Sequence, residues 1–184
     1  MVFEANVNTA NTTNTADAAD APAPGEQTLV RTPDPLPSAA LPRSDRLLVV
    51  SARLHPQRLE QMLRESGRDP ASATLLSVWP VELEYDGPVT LTGVVHPGDV
   101  TGVGMRLVDA LSTLSEGDCV VTDALGVLEM YCEPDVVSRF FSTVLQKTAG
   151  QRLHGIHTVQ PGVTVDGALK AQFDRVVDDA IRPS

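Results

Sequence analysis

Lysine is almost missing from this chain: Lys147 and Lys170 are the only two, and the rest of its 14 basic residues are arginine. Set against 24 acidic residues, they leave a formal charge of −10. A field of that sign repels phosphate backbones and anionic lipid, so neither nucleic acid nor a membrane surface is expected as a partner. Two origins fit the balance. One is an acidic protein of no special habitat. The other is adaptation to a salty cytoplasm, where short carboxylates hold water and ions while lysine stems would expose apolar carbon. At about 1 M salt the screening length falls to about 3 Å, and self-repulsion fades.

Cysteine is scarce as well. Cys119 and Cys132 are too few for a disulfide framework and lack a zinc spacing. Cys119 opens an apolar run and reads as a small buried hydrophobe. No run approaches the roughly 18 to 20 apolar residues of a membrane span. The start, MVFEANVNTA, has no basic stretch ahead of an apolar block, so no signal peptide is expected. The expected location is the cytoplasm.

What is present fits one domain: 184 residues, 42% of them hydrophobic. Residues 1–26 are mostly Ala, Asn, Thr and Asp, with little to bury, and are expected to form a disordered acidic tail ahead of a domain over 27–184. Residues 27–31 open the regular structure, followed by TPDPLPSAALPRSD, whose prolines forbid a helix. The continuous apolar runs at 46–52, 73–79, 118–123 and 153–159 read as strands buried on both faces. Between them lie helical patterns. The first has Leu59, Met62 and Leu63 on one face, with Gly67 as its stop. The second starts at Asp99 and buries Val103, Leu107, Ala110, Leu111 and Leu114. A short helix LGVLEMY precedes a longer one over about 135–148, expected to bury Val136, Phe140, Phe141, Val144 and Leu145. The stretch from Val81 to Asp99 is irregular, with room for a hairpin, and 173–179 alternates as an edge strand would. Strands alternating with helices predict an α/β fold: a mostly parallel central sheet with helices on both faces.

In such sheets a site lies beyond the carboxyl ends of the strands. A nucleotide hydrolase would carry G-x-x-x-x-G-K-[ST] after its first strand, where amides and a lysine cradle phosphates. Here stand Thr32, Pro33, Asp34, Pro35, Leu36 and Pro37, so a P-loop is lacking. After the next strand come Ser51, Ala52 and Arg53; Arg53 could meet an anion, but an arginine at a strand end reads first as solvated. Asp123 ends its strand where an acid can hold magnesium through water; capping the helix that follows is a sufficient alternative reason for it. Asp99 and Thr101 are weaker binding candidates, because Gly98, Gly102 and Gly104 around them resemble a glycine-rich anion loop. A helix start needs a cap and close packing in any case. His154 and His157, three apart on a strand, point to opposite faces and cannot share a metal. Neither a Gly-x-Ser-x-Gly elbow nor a readable triad occurs, and Glu82, Glu84 and Asp86 read as a solvated acidic loop. No catalytic residue, metal or cofactor is expected.

Three segments carry a family resemblance: PGDVTGVGM at 97–105, VVTDALGVL at 120–128, and RFF at 139–141. With the flanking pattern from about residue 26 onward, the chain resembles small RecA/KaiC-like, halobacterial transducer-like proteins of halophilic archaea. The resemblance implies a RecA-like, P-loop-NTPase-like fold with Asp123 at a degenerate Walker B-like position. It matches Ser51 to the serine ending the second KaiC strand, and places Ala52 and Arg53 where that family carries paired glutamates. It therefore implies a pseudo-ATPase: a non-catalytic regulatory or scaffolding module acting through a protein partner or a homo-oligomer. The alternative is a nucleotide-binding protein or weak ATPase using Asp123 and a remodelled loop.

Overall fold

The computed structural model describes residues 22–178. Their strands are β1 (Gln27–Arg31), β2 (Leu47–Ser51), β3 (Ala73–Val78), β4 (Thr90–Val95), β5 (Cys119–Asp123), β6 (His154–Val159) and β7 (Arg175–Asp178). The α-helices are α1 (Pro56–Glu65), α2 (Val100–Leu111), α3 (Leu125–Tyr131), α4 (Pro134–Gly150) and α5 (Gly167–Lys170). The strands form one sheet in the order β4-β3-β2-β5-β6-β1-β7, and every pairing is parallel. The α/β class expected from the sequence is the class found, consistent with a Rossmann-like or RecA-like arrangement. No helix among the described residues is long and apolar enough to cross a membrane.

Both faces of the sheet are covered, which is why its central strands read as unbroken apolar runs. Leu48, Val50, Leu76, Val120 and Val159 meet the helical layer, including Leu107, Phe141 and Val144. On the opposite face Leu47, Val49, Leu75, Val121 and Ile156 pack against Leu59 and Leu63 of α1 and against Leu36 and Tyr85. Each such buried Val or Leu contributes about 1.5–3 kcal/mol. One face therefore carries most of the helices; the other carries α1 and irregular chain.

Three expectations need correction. The Val81–Asp99 stretch holds no hairpin. Its strand β4 runs parallel to β3, because Val89 and Tyr85 are held on the α1 face and return the chain to the end from which β3 began. Tyr85 fixes that crossing by donating to Glu60 (2.9 Å) and accepting from the Val89 amide (3.1 Å). In α4 the buried stripe is Val137, Phe141, Val144, Leu145 and Thr148, while Val136 is 38% exposed. The stripe is turned by about one residue, which brings Thr148 onto Gln27. The helix expected to run to Leu114 ends at Leu111, where the Ser112 hydroxyl donates to the Asp109 carbonyl (2.6 Å).

Residues 22–26, expected within the tail, form a turn closed by Glu26 and pinned to the sheet where the Gly155 amide donates to the Glu26 carbonyl (3.0 Å). The rest of the expected tail, 1–21, and residues 179–184 lie outside the described residues.

Candidate functional site at the carboxyl ends of the strands

The chain leaves β2 over one face, through α1, to reach β3, and leaves β5 over the other face, through α3 and α4, to reach β6. The adjacent strands β2 and β5 thus send their connections in opposite directions. This makes a topological switch point, the place where open α/β sheets bind ligands.

Parallel register sets the side chains there. Ser51 stands opposite Asp123, and Thr158 follows Asp123 one strand over. Asp123, at 4% exposure, accepts hydrogen bonds from the hydroxyls of Ser51 (3.0 Å) and Thr158 (2.9 Å). The guanidinium of Arg53 closes on the same carboxylate: Nε lies 2.9 and 3.0 Å from the two oxygens, and Nη2 pairs with Oδ1. Arg53 also donates through Nη1 to the Pro33 carbonyl (3.1 Å). Ser51 shapes the turn beneath, since its hydroxyl oxygen accepts from the amides of Arg53 and Leu54, both at 3.0 Å. Burial pushes the Asp123 carboxyl above the ordinary carboxylate range; Arg53, Thr158 and Ser51 act against that rise.

Two expectations are overturned here. Arg53 is not a solvated arginine, because the strand end aims it across the β2–β5 gap onto a buried acid. Asp123 does not cap α3 either: the cap position is Ala124, with no side-chain hydrogen bond, and the Asp123 oxygens are turned back into the sheet.

The segment where a phosphate loop would sit keeps its donors to itself. Thr32 donates its amide to Val159 O (2.9 Å), Asp34 to Thr32 Oγ1 (3.1 Å), and Leu36 to Asp34 Oδ1 (2.9 Å). Pro33, Pro35 and Pro37 have no amide hydrogen to offer. Beside the ion pair, Arg53, Asp123, Gly126, Thr158, Gln160 and Val163 help line a cavity of about 180 Å³.

Asp99 and Thr101 are not brought to this place. Helix α2 follows the edge strand β4, three strands from β5 in the sheet order, or roughly 14 Å at the usual strand spacing. Asp99 does cap the helix, accepting from the Gly102 amide (2.8 Å), while Thr101 is exposed in the first turn. The three glycines have separate duties. A Cβ on Gly102 would fall 2.3 Å from Asp99 Oδ2, a Cβ on Gly104 would meet the Phe140 ring at 3.6 Å, and Gly98 donates to His96 Nδ1 (3.0 Å). They do not form a cradle.

A second polar cluster, on the helical face, was not anticipated. His157 contacts Thr122 Oγ1 through Nδ1 (2.7 Å) and Gln27 Oε1 through Nε2 (3.0 Å), with Phe173 against its ring. Thr148 Oγ1 lies 2.8 Å from the same Gln27 oxygen. His154 is buried on the opposite face, as their spacing requires. Among the described residues no group of three or more His, Cys, Asp or Glu is placed to hold a metal. Burial raises the Cys119 thiol to about 12, so it stays protonated and inert, in keeping with a buried hydrophobe.

Thr158 and the Gln27–His157 pair carried no sequence signal, since each contact joins residues far apart in the chain. A search of protein-family models found no match, and none was found among curated proteins.

Proposed function

We propose that this protein is a non-catalytic, RecA/KaiC-like regulatory or scaffolding module of a saline cytoplasm, working through protein contacts rather than nucleotide turnover. One observation carries the reading: Arg53 and two hydroxyls already satisfy Asp123, so the acid at the switch point is neutralised from within the chain. Catalysis of phosphoryl transfer needs donors and cations aimed at an incoming phosphate. Here the amides of Thr32, Asp34 and Leu36 are taken up within the chain and the Arg53 guanidinium is engaged. The acidic charge and the shortage of lysine support the saline setting and disfavour nucleic acid.

The test is calorimetric titration of the full chain with magnesium and ATP in molar potassium chloride, alongside a phosphate-release assay. The expected result is no turnover and no dissociation constant tighter than about 100 μM, the affinity of about −5.5 kcal/mol. Tighter binding that is lost in Asp123→Asn, a variant of unchanged shape, would establish the nucleotide-binding alternative instead.

A further inference from the structure

The α2/α4 face carries a groove of about 440 Å³ that no other part of the described chain fills. Gly104, Leu107, Val108, Phe140 and Val144 line it. At its edge Met105 is 67% exposed and Val108 43%, extending the apolar surface of the groove. Gly104 leaves a notch in α2 over which Phe140 lies, and Met105 projects beside that notch. A knob and a hollow thus share one face.

Charge says what fits there. Asp109 lies on the α2 side of the groove and Lys147 on the α4 side. Neither has an ion-pair partner among the described residues. Lys147 is one of only two lysines in a chain of net charge −10, and it stands beside exposed apolar surface. A two-fold dimer pairs one patch with itself, so that residue i meets j and j meets i. Laying α2 of one copy over α4 of the other places an acidic edge on a basic edge twice.

We infer that the α2/α4 groove is the interface of a homodimer, with Met105 of each copy seated in the groove of the other. This rests on the protein-contact reading above and names the partner it requires. Both α2 and α4 start near the carboxyl ends of the strands, so a two-fold axis along the helices lays α2 of each copy parallel on α4 of the other and sets Asp109 beside Lys147 near their carboxyl-terminal ends. With α2 about 18 Å long and helix axes about 10 Å apart, the patch falls below the roughly 800 Å² per partner of a standard interface. The dimer is therefore of the weak, reversible class, in the micromolar range.

The test is sedimentation velocity on the full chain from about 1 to 200 μM in about 0.2 M potassium chloride, where charges in contact still act. The wild type is expected to pass from monomer to dimer mass across that range. Met105→Asp, at an exposed position that folding does not need, is expected to weaken association at least about tenfold. Asp109→Arg alone and Lys147→Asp alone place like charges together in their homodimers and are each expected to weaken it. Mixing those two variants restores both opposite-charge contacts and is expected to return association to within about threefold of wild type.

A wild type that stays monomeric, a dimer indifferent to Met105→Asp, or a mixture no stronger than its components would each overturn the inference. Capture of a different protein on this face with the chain itself monomeric would do the same. None of these outcomes bears on the nucleotide titration, which is read on the switch-point site, so the two proposals fail separately.

Discussion

Nε2 of His157 stands 3.0 Å from Oε1 of Gln27, across 130 residues of chain, and that contact settles that Nε2 of a fully buried imidazole carries a hydrogen. The Gln27 amide can face only one way: its Nε2 donates to the carbonyls of Gly25 (2.9 Å) and Leu153 (3.0 Å), which leaves Oε1 as the acceptor. Nε2 of His157 must therefore carry the hydrogen, and Nδ1 must accept from the Thr122 hydroxyl. The ring is neutral because burial disfavours its charged form.

Stability should consequently depend on pH in a definite direction. Burial pushes His157 down to about 3 from an ordinary value of 6.5. Between those values the unfolded chain binds a proton that the folded chain refuses. Stability therefore falls as pH drops from about 6.5 toward 3, by up to about 1.4 kcal/mol per pH unit for this group, and the group adds no slope above that window. Urea unfolding at several pH values, wild type against His157→Gln, isolates the effect from the carboxylates. Parallel curves for the two proteins would show that His157 is not held neutral.

Gly155 allows this cluster to exist. A Cβ there would meet Gln27 Oε1 at 1.9 Å and His157 Nε2 at 2.6 Å. Gly155→Ala should cost about 2–4 kcal/mol, the range for disrupting a buried hydrogen-bonded network. Adding Gln27→Ala to make room should recover part of that loss, a coupling that a double-mutant cycle measures directly. Additive losses would mean that the two residues do not compete for one space.

At the switch point, removing one partner should be worse than removing both. Arg53→Met leaves Asp123 buried without its cation and should cost about 2–4 kcal/mol, somewhat below a fully buried pair because Arg53 is 21% exposed. Arg53→Met with Asp123→Leu replaces a desolvated pair by apolar contact and should be the more stable of the two variants. Thermal unfolding ranks them, and the reverse order would show the pair to be solvated.

Helix α2 offers a smaller, local check. Gly102→Ala drives a methyl into the Asp99 carboxylate and should remove the cap, at about 1 kcal/mol. Asp99→Ala should cost about the same, and the double variant little more, because both changes remove one interaction. The cost would be twice as large if the two residues acted independently.

Salt gives a test of the acidic composition. With a net charge of −10, the folded state carries self-repulsion that ions relieve. The urea midpoint is expected to rise between about 0.1 and 2 M potassium chloride, most steeply at the low end, where screening changes fastest. A flat profile would count against a saline habitat.

Period and punctuation made much of the architecture readable before any coordinates. Unbroken runs such as LLVV and CVVT specify strands buried on both faces, and helical periodicity between them specifies crossovers, so the parallel sheet follows from local chemistry. The missing glycines and lysine after the first strand were legible for the same reason, because a phosphate loop is a contiguous segment. Side-chain partnership was not legible. Sheet order alone placed β5 between β2 and β6, and only then did Arg53 and Thr158 reach Asp123 from opposite sides. The same stacking of distant strands brought Gln27 to His157 and parted Asp99 from the switch point. Hydrophobic pattern is a property of neighbours along the chain, whereas a buried charge takes whichever partner the fold delivers across it.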